Sequence, residues 1–415
     1  MNSALLENRA VRKNNLLLKI ILPSIDLPGN IPARQGTSMN DKIYFRWFVR
    51  LYGKGVDKFS GSDIMRVSSE GKNYIRNEFK FWEVLMKKER MAEIQAAIHA
   101  VEEKKTINHV YLVGCGASFA VFKPVEFYLN RETEMPTTAI TANEFNYATP
   151  KSLGEESVVV TCSHSGSTPE TVAATKLARE KGALVISFMD IAAAGAPLEK
   201  EADISFHYEW GDDIDMSDGK EASLYYFMFG LLKEFNGEEA AKYEKAMEDI
   251  HKVGAVVAKN RKDWDQRAND YARAHKRFDG VYYTMASGSS YGAVYIYSMC
   301  LMMEMQWLKS QAIHSGEYFH GPFEMTDFDT PFIIVKGVDD CRYLDERAEA
   351  FCRKFCDDVL TIDCAEFDMM DMAETSKVYY ANIVLTAVLR LHASWLADYR
   401  GHMFTVRRYM WRMEY

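Results

Sequence analysis

Short apolar runs recur along this chain, and each empties into a turn of small residues that opens a helix. No other feature restricts the possible folds as much. His109-Val110-Tyr111-Leu112-Val113 runs into Gly114-Cys115-Gly116-Ala117-Ser118, with a helix expected from about Phe119 to Leu129. Thr138-Ala139-Ile140-Thr141 is a short strand. Ser157-Val158-Val159-Val160-Thr161 enters Ser163-His164-Ser165-Gly166-Ser167-Thr168 and a helix from Pro169 to about Lys181. Proline suits that first helical turn, because its missing N–H would have no intrahelical partner there. Ala183–Phe188 and Ile204–Tyr208 complete a set of five strands. Strands that are apolar throughout and alternate with helices imply a parallel sheet covered on both faces.

Helices dominate from Glu221 to about His275, and then the pattern restarts. Val281–Ala286 leads into Ser287-Gly288-Ser289-Ser290, and Gly288 lies 172 positions after Gly116. Pro331–Val335 repeats the second buried strand, 174 positions after Val158–Val160. Two matched elements at nearly one offset indicate an internal duplication of an α/β unit. The expected division is an N-terminal arm over 1–64, a first domain over 65–235, linking helices and a second domain over 236–400, and a tail over 401–415. From Gly71 to about Glu103, Phe79, Trp82, Leu85 and Met86 stand at helical spacing.

In an open parallel sheet, ligands bind beyond the carboxyl ends of the strands. The turn at 114–118 and the loop at 163–168 both lie there. Exposed N–H groups at a helix start attract anions, and four hydroxyl residues with one glycine suit a phosphate better than a single cap does. In the second copy, Ser163, Ser165 and Gly166 correspond at the 174 offset to Gly337, Asp339 and Asp340. Carboxylates repel phosphate, so one phosphate site per chain is expected, in the first domain.

The bulk numbers narrow the partners. A net charge of −9 argues against nucleic acid, and 48% hydrophobic with 26% charged residues fits a folded chain. No run approaches the roughly 18 apolar residues of a membrane span. Leu16–Leu22 follows basic residues, but it is short, contains Lys19 and lacks a cleavage site, which argues against a secretory signal. Seven cysteines form no CxxC pair and no zinc spacing. Cys352 and Cys356 read as buried free thiols, and the odd count fits a reducing, cytoplasmic compartment.

These residues resemble the SIS (sugar isomerase) family of phosphosugar-binding domains, in two tandem copies over most of Met65–Tyr415. The marks are the turn at 114–118, the loop at 163–168, and Glu317-Tyr318-Phe319-His320-Gly321-Pro322, which is similar to the E-x-x-H-G-P element of the isomerase half of glucosamine-6-phosphate synthase. The resemblance implies an α/β, flavodoxin-like fold: two domains, each a parallel five-stranded sheet flanked by helices. It implies that Gly116, Ala117, Ser118, Ser163, His164, Ser165 and Thr168 hold the sugar phosphate. It further implies His320 as a catalytic acid and Glu304, 16 positions earlier, as the general base. No metal or organic cofactor is implied. The implied assembly is a homodimer or higher homo-oligomer with sites at subunit contacts.

Glu304 stands in the apolar stretch Leu301–Trp307, where a carboxylate is costly unless partnered or protonated. Histidine suits proton transfer near neutral pH. His314, Glu317 and Glu324 are lesser candidates. Two departures separate the chain from the synthase: it shows no glutaminase with a nucleophilic cysteine near its start, and Leu301 replaces a lysine three positions before the glutamate. The remaining features are most similar to the deglycase branch of the family, including the tail Arg407–Tyr415. For that branch the implied substrate is an amino acid joined to a 6-phosphosugar, such as fructoselysine 6-phosphate. Glu304 removes a carbon-bound proton at the amine-bearing end of the sugar, His320 moves protons on oxygen, and water releases hexose 6-phosphate and amino acid. The alternatives are an aldose–ketose isomerase or aminosugar-phosphate deaminase of the same fold, and a non-catalytic phosphosugar-binding regulator. The tail, with Arg407, Arg408 and Tyr415, is expected either to close over the site or simply to dock. The acidic segment 211–219 would contact a basic amine or lie in solvent.

Overall fold

The computed structural model describes residues 87–211 and 214–414. The arm at 1–64, the helical pattern before residue 87, Asp212, Asp213 and Tyr415 lie outside the described residues. The chain divides into two compact units, Met1–Met91 and Ala92–Tyr415. Of the first, only helical residues 87–91 are described. The second holds both sheets.

The first sheet has the order β2-β1-β3-β4-β5, all parallel: β1 (His109–Gly114), β2 (Thr137–Thr141), β3 (Ser157–Cys162), β4 (Leu184–Asp190) and β5 (Ile204–Tyr208). Every residue of β3 is buried, because helices cover both faces. Chain direction reverses between β1 and β3, which is the switch point where such folds bind ligands. Helix α1 (Phe122–Glu132) follows β1, and helix α2 (Pro169–Glu180) follows β3. Helix α3 (Lys220–Phe235) follows β5.

The second sheet repeats this order with one strand fewer. It runs β7-β6-β8-β9, from β6 (Val281–Ala286), β7 (Lys309–His314), β8 (Phe332–Lys336) and β9 (Val359–Asp363). The expected five strands are therefore four in the second copy. After β9 the chain makes a 3-10 turn at Cys364–Glu366 and enters the long helix α8 instead of returning to the sheet. The linking helices are α4 (Ala240–Asp249) and α5 (Val253–His275). Helix α6 (Tyr291–Tyr295) follows β6, α7 (Arg342–Phe355) follows β8, and α8 is Glu374–Arg400. Cys352 and Cys356 are buried and free, as expected. No helix among the described residues is long and apolar enough to cross a membrane.

The strand registers correct one correspondence. Tyr111 pairs with Val159, and its counterpart Tyr283 pairs with Phe332. Phe332 therefore matches Val159 at an offset of 173, not 174. Ser163, Ser165 and Gly166 match Lys336, Val338 and Asp339. The sequence comparison slips because one more residue separates the two strands in the second copy.

The two halves meet closely. Gly292 on α6 lies where a Cβ would stand 2.6 Å from the Ala120 carbonyl oxygen, so only glycine permits this approach. The Phe119 and Tyr295 rings meet edge to face at 6.0 Å. Glu132 at the end of α1 accepts bonds from Tyr243 (3.0 Å), Tyr379 (2.8 Å) and Lys242 (2.8 Å), tying α4 and α8 to the first sheet.

At the carboxyl ends of the second sheet, acids take the place of a bound anion. Asp339 accepts from the Ser289 N–H at 2.9 Å, from the Ser289 hydroxyl and from the Cys341 N–H at 2.9 Å. Behind it, Asp345 accepts from Ser287 Oγ at 2.8 Å and the Gly337 N–H at 3.1 Å. Burial pushes the Asp345 carboxyl up to about 6 against those bonds. Its folded value then lies above the ordinary carboxylate value of about 3.9, so from about pH 4 to 6 the folded chain keeps a proton that the unfolded chain has lost. Stability falls across that window as pH rises. Asp345→Asn is expected to remove about 2 kcal/mol of this decline, read as the difference between wild-type and variant unfolding free energies at pH 4.5 and pH 6.5. Parallel pH profiles for the two proteins would show that another group titrates.

Candidate functional site

The loop Ser163–Thr168 leaves β3 and opens α2. Thr168 stands at the N-cap position, yet its side chain makes no capping bond. Its hydroxyl lies 2.9 Å from that of buried Ser163, and the Ser167 hydroxyl donates to Ser165 Oγ at 2.9 Å. The hydroxyls therefore bond one another, and the first N–H groups of α2 receive no side-chain cap from Thr168. Gly166 has a φ of +62° and a position where a Cβ would come within 2.6 Å of the Ala196 Cβ. The Leu198 N–H donates to its carbonyl at 2.9 Å, so this turn is pinned against the segment after β4.

A polar chain joins the strand ends. His164 Nδ1 lies 2.8 Å from the Tyr208 hydroxyl at the end of β5, and its Nε2 lies 3.9 Å from Asp190 at the end of β4. The Trp210 ring meets the imidazole edge to face at 5.3 Å. The Lys220 ammonium, at the start of α3, sits 5.7 Å over the Tyr208 ring and donates to Ser118 Oγ at 3.1 Å. Gly116, Ala117 and Ser118 thus share one edge with Ser163, His164, Ser165 and Thr168. Lys220 is buried and was missed in the sequence. The available signal was a lysine four positions before Leu224, on the buried side of an otherwise apolar helix.

Glu304 belongs to a π-helical stretch, Ile296–Met305, that continues α6. Such i→i+5 segments are rare and recur at functional sites. Cys300, four positions earlier, receives a backbone hydrogen bond from Ala117. Burial pushes its thiol up to about 11, with Glu304 adding to the rise while Lys220, Ala117 and Arg407 oppose it. The Glu304 stretch of the second half packs against the short helix Ala117–Ala120 of the first.

The partner that Glu304 needs comes from the tail. Arg407 Nη2 stands 2.7 Å from Glu304 Oε1; the guanidinium is buried and the carboxylate side chain is 25% exposed. Arg407 also donates to the carbonyls of Phe404 and Val406, and its guanidinium lies 5.2 Å from the Trp411 ring. Arg408 stacks 4.4 Å over Trp307, which lies just past the π-helical stretch and has a φ of +55°. A bulky residue rarely takes that conformation, and it costs of order 1–3 kcal/mol, held here by packing on both sides.

His320 closes the 3-10 turn Ser315–His320 after β7 and is exposed. Among the described residues nothing ties it to Glu304 or to the phosphate loop. His314 accepts from the Gly316 N–H at 3.1 Å as the cap of that turn, and burial lowers its pKa. Glu317 and Glu324 are exposed.

Comparison with known proteins bears on the family and the fold. A SIS domain profile matches residues 105–225. Fructosamine deglycase FrlB of Bacillus subtilis is 42% identical over 324 residues, covering 78% of this chain and 97% of its own. Fructoselysine 6-phosphate deglycase of Escherichia coli is 26% identical over 317 residues, covering 75% and 89%. Among solved structures, a Bacillus subtilis protein described as a phosphosugar isomerase matches with a TM-score of 0.75 at 42% identity, over 78% of this chain and 97% of that one. A Salmonella typhimurium protein with the same description gives 0.73 at 34%, over 79% and 99%.

Proposed function

Because the chain belongs to the SIS domain family, we propose that it is a deglycase that cleaves a 6-phosphorylated sugar–amino acid adduct of the fructosamine type into hexose 6-phosphate and free amino acid. The observation that carries this reading is that the π-helical stretch bearing Glu304 packs against the helix Ala117–Ala120, whose Ser118 accepts from Lys220 at 3.1 Å. In this reading that packing lets a base from the second half serve the strand ends that present the hydroxyl-rich loop.

In this reading the loop at 163–168 holds the phosphate through the α2 amides and the Ser163, Ser165 and Thr168 hydroxyls. Holding the phosphate, far from the reacting carbon, supplies orientation energy. Lys220 fixes Ser118 and adds positive charge near the sugar. Glu304 takes the proton from C1, the amine-bearing carbon, while the C2 oxygen gains one from His320. The resulting enaminol is protonated at C2 as the nitrogen loses its proton, giving an imine at C1. Water adds there, the C1–N bond breaks, and the amino acid leaves. An exposed His320 suits a site completed by a second copy of the chain, so the working form in this reading is a homodimer or higher homo-oligomer. We assign it to the cytoplasm, where its seven free cysteines stay reduced.

In a panel of fructoselysine 6-phosphate, glucoselysine 6-phosphate and fructosamine 6-phosphates of other amino acids, at least one adduct should release free amino acid and hexose 6-phosphate, followed by mass spectrometry. Turnover confined to glucosamine 6-phosphate or a simple hexose phosphate would replace this reading with the deaminase or isomerase one.

A further inference from the structure

Arg407 is bound more weakly to its counter-charge than a buried guanidinium normally is. It is 6% exposed, and Glu304 takes only one of its nitrogens, at 2.7 Å. Carboxylates usually grip arginine with two prongs. Its Nε–H is buried and has no acceptor among the described residues. The same holds for Arg400 Nε and His402 Nε2 nearby, and the positive charges of Arg400 and Arg407 help burial to lower the His402 pKa. The root of the tail thus gathers the positive charges of Arg400 and Arg407 immediately beside the base, with Glu304 the carboxylate paired to Arg407. Buried donors without partners are rare and call for a reason.

The ion pair also obstructs the chemistry assigned to Glu304. A proton arriving on that carboxylate would leave a buried guanidinium uncompensated, which is strongly unfavourable. The base works well only if another anion takes over Arg407 first. Resting on the deglycase reading, we propose that Arg407 seats the carboxylate of the substrate's amino acid, and that this exchange releases Glu304 to accept the C1 proton. When the sugar is joined to the α-amine, the carboxylate carbon lies about 4 Å from C1, by ordinary bond lengths. That separation matches a guanidinium already touching the base. An amine that carries no carboxylate, or carries it at the far end of a long side chain, leaves the Arg407–Glu304 pair intact. The substrate class is therefore 6-phosphofructosyl adducts of α-amino groups, and Arg407 sets the specificity.

Two synthetic substrates test this with the whole chain: fructosylglycine 6-phosphate and its decarboxylated counterpart, fructosylmethylamine 6-phosphate. The wild type should prefer the first by about 100-fold in kcat/KM, as sites built around a substrate charge do. Arg407→Gln should bring the two within about threefold, and Arg407→Lys, which keeps the charge without the fork, should retain about a tenth of the preference. Equal wild-type rates on both adducts overturn the proposal and need no variant. So does a preference that persists in an Arg407→Gln protein with a native circular dichroism spectrum. If neither adduct reacts, the deglycase reading itself has failed, and this inference falls with it.

Discussion

Glu304→Gln should lower kcat on a fructosamine 6-phosphate by about 10²–10⁴-fold, the usual contribution of a positioned general base. KM should change little, because the phosphate contacts lie on a different loop. The replacement keeps the shape and one acceptor for Arg407, and removes the capacity to take a proton. It also strips the buried guanidinium of its counter-charge, so the melting temperature should be measured alongside. Calorimetric binding of fructose 6-phosphate should survive. A variant that keeps more than about a tenth of wild-type turnover would remove Glu304 from the chemistry and leave the site with no base.

Gly166→Ala should act on the other half of the reaction. With φ at +62° a side chain is strained, and the new Cβ would stand 2.6 Å from the Ala196 Cβ and 3.1 Å from the Met189 sulfur. The turn must shift, and the α2 amides and the Ser165 hydroxyl shift with it. A displacement near 1 Å in a binding loop costs about 100-fold, so KM for the phosphosugar should rise on that scale. Binding of fructose 6-phosphate should weaken in parallel, while an unphosphorylated fructosamine reacts equally slowly with both proteins. An unchanged KM would mean that the phosphate is held elsewhere.

Much of this architecture was readable from short windows of sequence. Val158-Val159-Val160 could only be a strand buried on both faces, and the loop after it carried more hydroxyls than a helix cap uses. What escaped depended on contacts between distant positions. Lys220 gains its meaning from Ser118, 102 positions away. Arg407 could be placed in a basic tail, but its attachment to Glu304 follows from how α8 returns the chain to the π-helical stretch. The acids after β8 were read by charge alone, as a barrier to phosphate. Their geometry is more specific, since Asp339 accepts from the very turn that mirrors 116–118. The missing strand of the second sheet left no local sign, because the absence of an apolar run looks like any other loop.

That aspartate has a wider consequence. A guest tethered to its host through one polypeptide is present at an effective concentration that no freely diffusing metabolite reaches. The second half of the molecule is therefore permanently occupied by its own side chain. A free phosphosugar would have to displace Asp339 from the Ser289 N–H and hydroxyl to bind there. Duplication has here turned one of two receptors into an anvil against which the other can work.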